Sequence, residues 1–174
     1  MVNIVTLVKV NEEYKEEALE FKKEFFDYNE TVINGSALFD QLSFDDWMDL
    51  VKKNQNIETV SKDWAVSNVF FLMLDSKIIG ITEIRHSLTT PFLQEYAGHI
   101  GYSVRPSYRK KGYGTKLLSL AIDYCKEIGL KEIRLGCYCE NKASIGVIEK
   151  NSGSCIEKKK YLDGKWMYVY KIKW

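Results

Sequence analysis

One segment in the second half of the chain constrains the fold more than any other. The stretch "YAGHIGYSV" predicts a strand that stops at Pro106, and "GTKLLSLAIDYCKEIG" repeats its apolar residues at helical spacing. Between them, "RPSYRKKGYG" contains four basic residues and two glycines. A helix start attracts negative charge through its free amides and its dipole, so this strand, loop and helix predict an anion site.

Two common nucleotide-binding loops do not fit this segment. A Walker loop requires GxxxxGK[ST], and no such run surrounds Gly112 or Gly114. A dinucleotide-binding turn requires GxGxxG directly after a strand, whereas Leu117 occupies the third glycine position and seven residues separate Val104 from Gly112. We therefore interpret the segment as a loop that holds a pyrophosphate on its backbone amides.

The remaining segments alternate between strand and helix patterns. "NIVTLVKV" predicts a first strand, "VFFLMLDSKIIGITEIRHSL" a hairpin, and the Asp163-Gly164 dipeptide a tight turn in a closing hairpin. Helix caps are predicted at Asn11, Ser43 and Asn141. The order β α α β β β α β α β β predicts an α/β sandwich with a mixed sheet. Since no linker or repeat interrupts it, we expect one domain over residues 1–174.

The composition excludes several classes of protein. The 174-residue chain has a net charge of +1, which gives no general attraction to nucleic acid or to a membrane. It shows no leader pattern and no 18-residue apolar window, so we expect a cytoplasmic protein. Its two histidines and four cysteines lack the spacing of metal ligands; we predict no metal site and four buried, reduced thiols.

Beyond these patterns, the sequence resembles a known family. "RKKGYG" matches the [QR]xxGx[GA] signature of the GNAT (GCN5-related) N-acetyltransferases. "YSVRPSYRKKGYGTKLL" resembles their acetyl-CoA-binding segment, and "ENKASIGVIEKNSG" resembles the strand end and helix that follow it. Because the order of elements also agrees, the resemblance covers nearly the whole chain.

The resemblance implies a fold and a reaction. The expected fold is a mixed, mostly antiparallel sheet of six to seven strands flanked by about four helices. The expected reaction is direct transfer of an acetyl group from acetyl-CoA to a primary amine, without a covalent enzyme intermediate. The amine acceptor itself is not indicated by any motif, and a homodimer is left open.

The resemblance also assigns residues to the coenzyme. The expected pyrophosphate contacts are Arg109, Lys110, Lys111, Gly112, Tyr113, Gly114 and Thr115. The backbone of Ser103 and Val104 is expected to pair with the pantetheine arm, which Asn141 and Ser144 are expected to line.

Catalytic groups are less well defined. In "GHIGY", His99 stands where relatives often carry a glutamate, and a histidine pKa near 6.5 suits a general base at neutral pH. Glu83 on the neighbouring strand is the second candidate base. Ile148 replaces the tyrosine that protonates the leaving thiolate in many relatives. Tyr102, Tyr138 and Tyr161 are candidate substitutes, and spacing does not choose among them.

Two other functions remain open at this point. A GNAT-like domain that binds acyl-CoA as a sensor, without transfer, would fit the two departures from the family pattern. An RNA-binding domain could use the basic loop, although the balanced charge disfavours it.

Overall fold

A computed structural model describes residues 3–174. The strands are β1 (Val5–Lys9), β2 (Ser67–Leu74), β3 (Lys77–Arg85), β4 (Ile100–Val104), β5 (Glu132–Tyr138), β6 (Ser154–Lys160) and β7 (Trp166–Lys173). The α-helices are α1 (Lys15–Asp27), α2 (Phe44–Asn54), α3 (Tyr113–Glu127) and α4 (Lys142–Lys150). The predicted order of elements is confirmed. Within residues 3–174, no helix is both long and apolar enough to cross a membrane.

The seven strands form two antiparallel sheets. One sheet has the order β1-β2-β3-β4 and the other has the order β5-β7-β6. α1 and α2 cover one face of the larger sheet, where Phe21, Trp47 and Phe71 are fully buried. α3 contributes Leu118 to a second core that includes residues of both sheets, such as Ile100 and Ile133. Burial of these apolar side chains therefore joins the two sheets into one layered body.

The helix caps predicted from sequence are confirmed. Asn11 Oδ1 accepts a hydrogen bond from the Glu13 amide, and Ser43 Oγ accepts one from the Asp46 amide. Asn141 Oδ1 accepts a hydrogen bond from the Ser144 amide at 3.1 Å. Such caps satisfy amides that have no partner inside the helix.

Two predictions are corrected. The stretch "YAGHIGYSV" is not a strand throughout, because Leu93–Ala97 forms a short π-helix and β4 begins only at Ile100. The cysteines are all free thiols, but only Cys125 and Cys137 are buried. Cys155 is exposed because it lies on β6, an edge strand with little packed over it.

The two sheets part beside Gly98. This residue forms a bridge with Leu135, and the His99 amide donates to Arg134 O at 2.7 Å. Past this point β4 pairs with β3 and β5 pairs with β7, so a gap opens between β4 and β5. Gly98 has φ 66° and ψ −158°, a region that essentially only glycine adopts. A glycine is therefore required where the sheets divide.

Gly98→Ala is expected to destabilise the protein. An added Cβ would lie 2.2 Å from Arg134 O in a backbone conformation that costs about 1–3 kcal/mol for other residues. Denaturant unfolding should report a loss of at least about 1 kcal/mol in the free energy of unfolding. Gly146→Ala in α4 is the control, because its Cβ would meet nothing within 4 Å. That change should raise stability by about 0.5–1 kcal/mol; equal effects of the two changes would contradict the steric argument.

Candidate functional site

The glycine loop ends in a helix start whose amides are available. Lys110 and Gly112 have positive φ angles of 60° and 84°, and α3 begins at Tyr113. The Lys116 amide donates to Gly112 O at 3.2 Å, which is the first bond of the helix. The amides of residues 113–115 precede it and have no acceptor within the helix. Together with the helix dipole they favour negative charge at the place where the sequence predicts an anion site.

The side chain of Arg109 is directed to protein acceptors. Its two terminal nitrogens bind both oxygens of Glu30 at 2.6 and 2.7 Å, and its Nε donates to Val104 O at 3.0 Å. The guanidinium also lies over the Phe25 ring, 5.4 Å from its centroid. The backbone of Arg109 lies in the predicted phosphate loop, but its side chain holds the loop to the chain segment after α1.

Arg105 binds carboxylates of α1 in a similar way. It is buried and donates to Glu24 at 2.5 Å, to Glu17 at 2.8 Å and to Ile78 O at 3.1 Å. Burial opposes ionisation of Glu24, but hydrogen bonds from Ser107 and Arg105 lower its pKa below the usual value. Carboxylates on and after α1 therefore balance both arginines of the basic loop, whereas Lys110 and Lys111 remain exposed.

The edge of β4 that faces the gap is formed by alternate residues. The Arg85 amide donates to His99 O and the Arg105 amide donates to Ile79 O, which fixes the antiparallel register. By alternation, Ser103 also bonds toward β3, while the peptide groups of Tyr102 and Val104 point toward the gap. The Ser103 hydroxyl donates to Asn34 O at 2.7 Å. The Tyr102 peptide and the Val104 amide are thus the groups at this edge that do not bond to β3, Val104 O accepts Arg109 Nε, and Ser103 is turned away from the edge.

A pair of hydroxyl groups connects β4 to α4. Tyr102 Oη on β4 and Ser144 Oγ at the start of α4 lie 2.7 Å apart. Burial raises the pKa of Tyr102 to about 12, so its hydroxyl is protonated at neutral pH. Asn141 caps the same helix turn, which places both residues predicted on α4 at this side of the gap. Of the three tyrosines that the sequence offered, Tyr102 is the one hydrogen-bonded to Ser144.

The start of α3 lies against α4. A Cβ at Gly114 would lie 3.1 Å from Val147 Cγ2, and Asn151 Nδ2 donates to Thr115 O at 3.1 Å. Asn151 was not anticipated from the sequence, where nothing distinguishes it from a polar helix end. The available amides of α3 and the hydroxyl pair are consequently held on adjoining elements.

Both candidate bases have their acceptor atoms bonded to the protein. His99 Nδ1 accepts the Arg134 amide at 3.0 Å, so the neutral ring carries its proton on Nε2. Burial lowers the pKa of His99 below 6.5, which keeps the ring neutral. Glu83 is buried and accepts from Arg85 at 2.8 Å and from the Ser67 hydroxyl at 3.1 Å. The single acceptor nitrogen of His99 would have to lose its bond to Arg134 before it could act as a general base. Glu83 keeps further lone pairs on both oxygens, but its carboxylate is buried and held by Arg85 and Ser67.

The remaining candidates lie elsewhere. Ile148 is completely buried in the core. Tyr138 donates to Asp163 at 2.7 Å and its ring contacts Tyr161, in an aromatic cluster that the sequence analysis did not find. Phe92 and Tyr96 complete that cluster. Among residues 3–174, no group of three His, Cys, Asp or Glu side chains is arranged to hold a metal ion.

Solved structures of known proteins share this architecture. The microcin C7 self-immunity acetyltransferase MccE, in complex with acetyl-CoA and AMP, superposes with a TM-score of 0.70 at 17% identity, covering 98% of this chain and 92% of MccE. RimL, a ribosomal L7/L12 alpha-N-protein acetyltransferase in complex with coenzyme A, gives 0.70 at 16% identity, covering 97% and 93% of the two chains. YncA, a putative acetyltransferase from Salmonella typhimurium with acetyl-CoA, gives 0.67 at 15% identity, covering 98% and 94%.

Sequence comparison gives a family. A search of curated proteins finds no sequence that matches the chain. The family described as "Acetyltransferase (GNAT) family" matches residues 35–153, which include β2 to α4 and the whole of the gap between the sheets. The chain therefore belongs to the GNAT acetyltransferase family.

Proposed function

We propose that this protein transfers an acetyl group from acetyl-CoA to a primary amine, within one domain that covers residues 1–174. The observation that carries the proposal is the set of available amides at residues 113–115, beside a gap into which β4 directs free peptide groups. MccE and YncA in complex with acetyl-CoA, and RimL with coenzyme A, support the choice of donor.

The residues present fit such a donor. The amides of residues 113–115 would hold the pyrophosphate, and the exposed Lys110 and Lys111 would add positive charge beside it. The Val104 amide and the Tyr102 peptide would pair with the pantetheine arm, because both point away from β3. Val104 O is already bonded to Arg109, so it would take no part.

The reaction requires two proton movements. The amine nitrogen forms a bond to the carbonyl carbon of the thioester, the carbon–sulfur bond breaks, and the electron pair leaves on sulfur. The amine loses a proton and the thiolate gains one. We propose that the Tyr102–Ser144 hydroxyl pair donates the second proton, since the two hydroxyls lie 2.7 Å apart between β4 and the start of α4. The raised pKa of Tyr102 makes it a weaker acid than an ordinary tyrosine, which limits the size of its contribution.

The base stays a prediction. His99 would have to exchange its bond from the Arg134 amide for the acceptor amine, and Glu83 would have to receive the proton while paired with Arg85. The occupied acceptor atoms favour a second candidate function, an acyl-CoA-binding sensor that performs no transfer. Saturable binding of acetyl-CoA, together with no product over a broad panel of amines, would support that second function.

Donor binding is tested by calorimetry with acetyl-CoA. The wild-type protein should bind it saturably, and Gly114→Val should weaken binding at least about tenfold, because a branched side chain would meet Val147 and crowd the amides. Gly146→Ala, in open space on α4, is the control and should bind normally. Absence of wild-type binding at millimolar acetyl-CoA would remove the proposal.

Tyr102→Phe tests the proton donor. We expect kcat to fall by about 10–100-fold with little change in acetyl-CoA affinity, because a general acid contributes at most about 10²–10⁴-fold and a thiolate is a good leaving group. Ser144→Ala should act in the same direction and the double variant should be no worse than Tyr102→Phe alone. Unchanged kcat in Tyr102→Phe, with a transferable amine as substrate, would exclude the pair as the acid.

His99→Asn separates a structural role from a base. Asn Oδ1 can accept the Arg134 amide in place of Nδ1, so we expect His99→Asn to fold normally, whereas His99→Ala loses stability. Retention of kcat within about threefold in His99→Asn would leave His99 with a structural role alone. A fall of about 10²–10⁴-fold in kcat of a folded His99→Asn variant would instead identify His99 as the base.

His99→Asn should also differ from wild type in the pH dependence of its free energy of unfolding. The folded-state pKa of His99 is lower than 6.5, so the unfolded chain takes up the proton first as the pH falls. The contribution of His99 is complete above pH 6.5 and is lost as the pH falls from there through the folded-state pKa. Urea unfolding of wild type should show this loss, and His99→Asn should show less of it; identical pH profiles would contradict the buried, neutral ring.

A further inference from the structure

We propose that Arg109 is a positioning residue that couples the coenzyme loop to the α1–α2 segment, residues 28–43, through Glu30. The inference rests on the proposed function, because the coupling begins when a pyrophosphate fixes the amides that follow Arg109. It gives the arginine of the loop a role other than phosphate binding.

The contacts of Arg109 favour this role. Its three guanidinium nitrogens bond to Glu30 and Val104 O in one plane, and its face covers Phe25 of α1. The paired, planar geometry of a guanidinium and a carboxylate fixes orientation as well as distance. A movement of the loop at Arg109 is therefore transmitted to Glu30.

The segment that receives this movement lies directly on β4. A Cβ at Gly35 would lie 2.1 Å from Gly101 C, so the two backbones touch there. Asn34 O accepts the Ser103 hydroxyl at 2.7 Å, and Ser36 O accepts the Trp47 indole N–H at 2.7 Å. The segment thus crosses the face of β4 that carries Gly101 and Ser103, and the edge of β4 away from β3 faces the gap. The Glu30–Arg109 pair connects the beginning of the segment to the coenzyme loop.

Electrostatics argue against direct phosphate binding by the same side chain. An anion that drew Arg109 away would leave the Glu30 carboxylate without its partner; hydrogen bonds from Arg109 lower the pKa of that carboxyl. The Glu30 charge would also repel a phosphate placed beside it. Phosphate binding by the backbone amides of residues 113–115 would break no ion pair.

The Arg109–Glu30 ion pair is better suited to coupling the loop to the α1–α2 segment than to stabilising the folded protein. The side chains of Arg109 and Glu30 are each 38% exposed, and pairs of that exposure contribute about 0–1 kcal/mol. Arg105, by contrast, is 9% exposed in its side chain and anchors α1. Changes at Glu30 should therefore leave the protein folded.

Hydrogen exchange with coenzyme A as the probe tests the coupling. In wild type, saturating coenzyme A should slow amide exchange by at least about threefold in two peptides, one covering residues 109–118 and one covering residues 29–38. In Glu30→Gln the first protection should remain and the second should be lost. Asp27→Asn, which removes the exposed pair with Lys23 in α1, is the matched control and should retain both.

The outcomes separate the coupling from the proposed function. Absence of protection in residues 109–118 of wild type would remove donor binding and the coupling with it. Protection of residues 109–118 without protection of residues 29–38, or retention of both in Glu30→Gln, would overturn the coupling alone.

Calorimetry with coenzyme A distinguishes coupling from phosphate binding by Arg109. We expect Glu30→Gln and Arg109→Lys each to change Kd by less than about threefold. If Arg109 were a phosphate ligand, Arg109→Lys would weaken binding at least about tenfold and Glu30→Gln, by freeing the arginine, would tighten it. That pattern would overturn the proposal.

Discussion

The separation of β4 from β5 at Gly98 is the constraint on which the rest of the structure depends. Each unpaired strand edge leaves a row of peptide groups without partners in the sheet. Here the Gly98–Leu135 bridge and the two hydrogen bonds between His99 and Arg134 connect the strands at one point. Arg85 of β3 donates to Gly98 O at 3.1 Å and so holds the same point from the other sheet neighbour. Beyond it, the free edge of β4 is available to another extended chain, such as the pantetheine arm of a coenzyme.

The division also explains why the candidate bases are occupied. His99 lies at the branch point, where its ring accepts the amide of the opposing strand, and Arg85 connects Glu83 to the carbonyl of Gly98. Polar groups at a branch between two sheets must satisfy backbone partners that regular pairing would otherwise supply. The two residues that the sequence offered as bases are thus engaged in holding the branch point.

The arginines of the basic loop are paired with carboxylates, whereas its lysines are exposed. A guanidinium presents a fixed, planar set of donors, and both arginines use it to bind carboxylates on or after α1. The lysines remain in solvent, and the amides of the first helical turn have no competing acceptor within the helix. Because the arginines are neutralised locally, the attraction that remains for an anion comes mainly from the helix start and the lysines.

The sequence by itself determined the order of strands and helices, the caps at Asn11, Ser43 and Asn141, and the loop that ends at Gly112. These features depend on neighbours in the chain: apolar periodicity, a polar residue before a helix, and a glycine at positive φ. The family signature lies in the same local stretch. For that reason the coenzyme side of the site could be predicted.

Only the tertiary structure decided which groups are free to act. The pairing of Arg109 with Glu30 joins residues 79 positions apart, and that of Tyr102 with Ser144 joins residues 42 apart. The same is true of the contact between His99 and Arg134, which engages Nδ1 of the histidine that the sequence offered as a base. Whether a side chain has a free donor or acceptor depends on partners that folding brings together over such separations, and no local pattern encodes them.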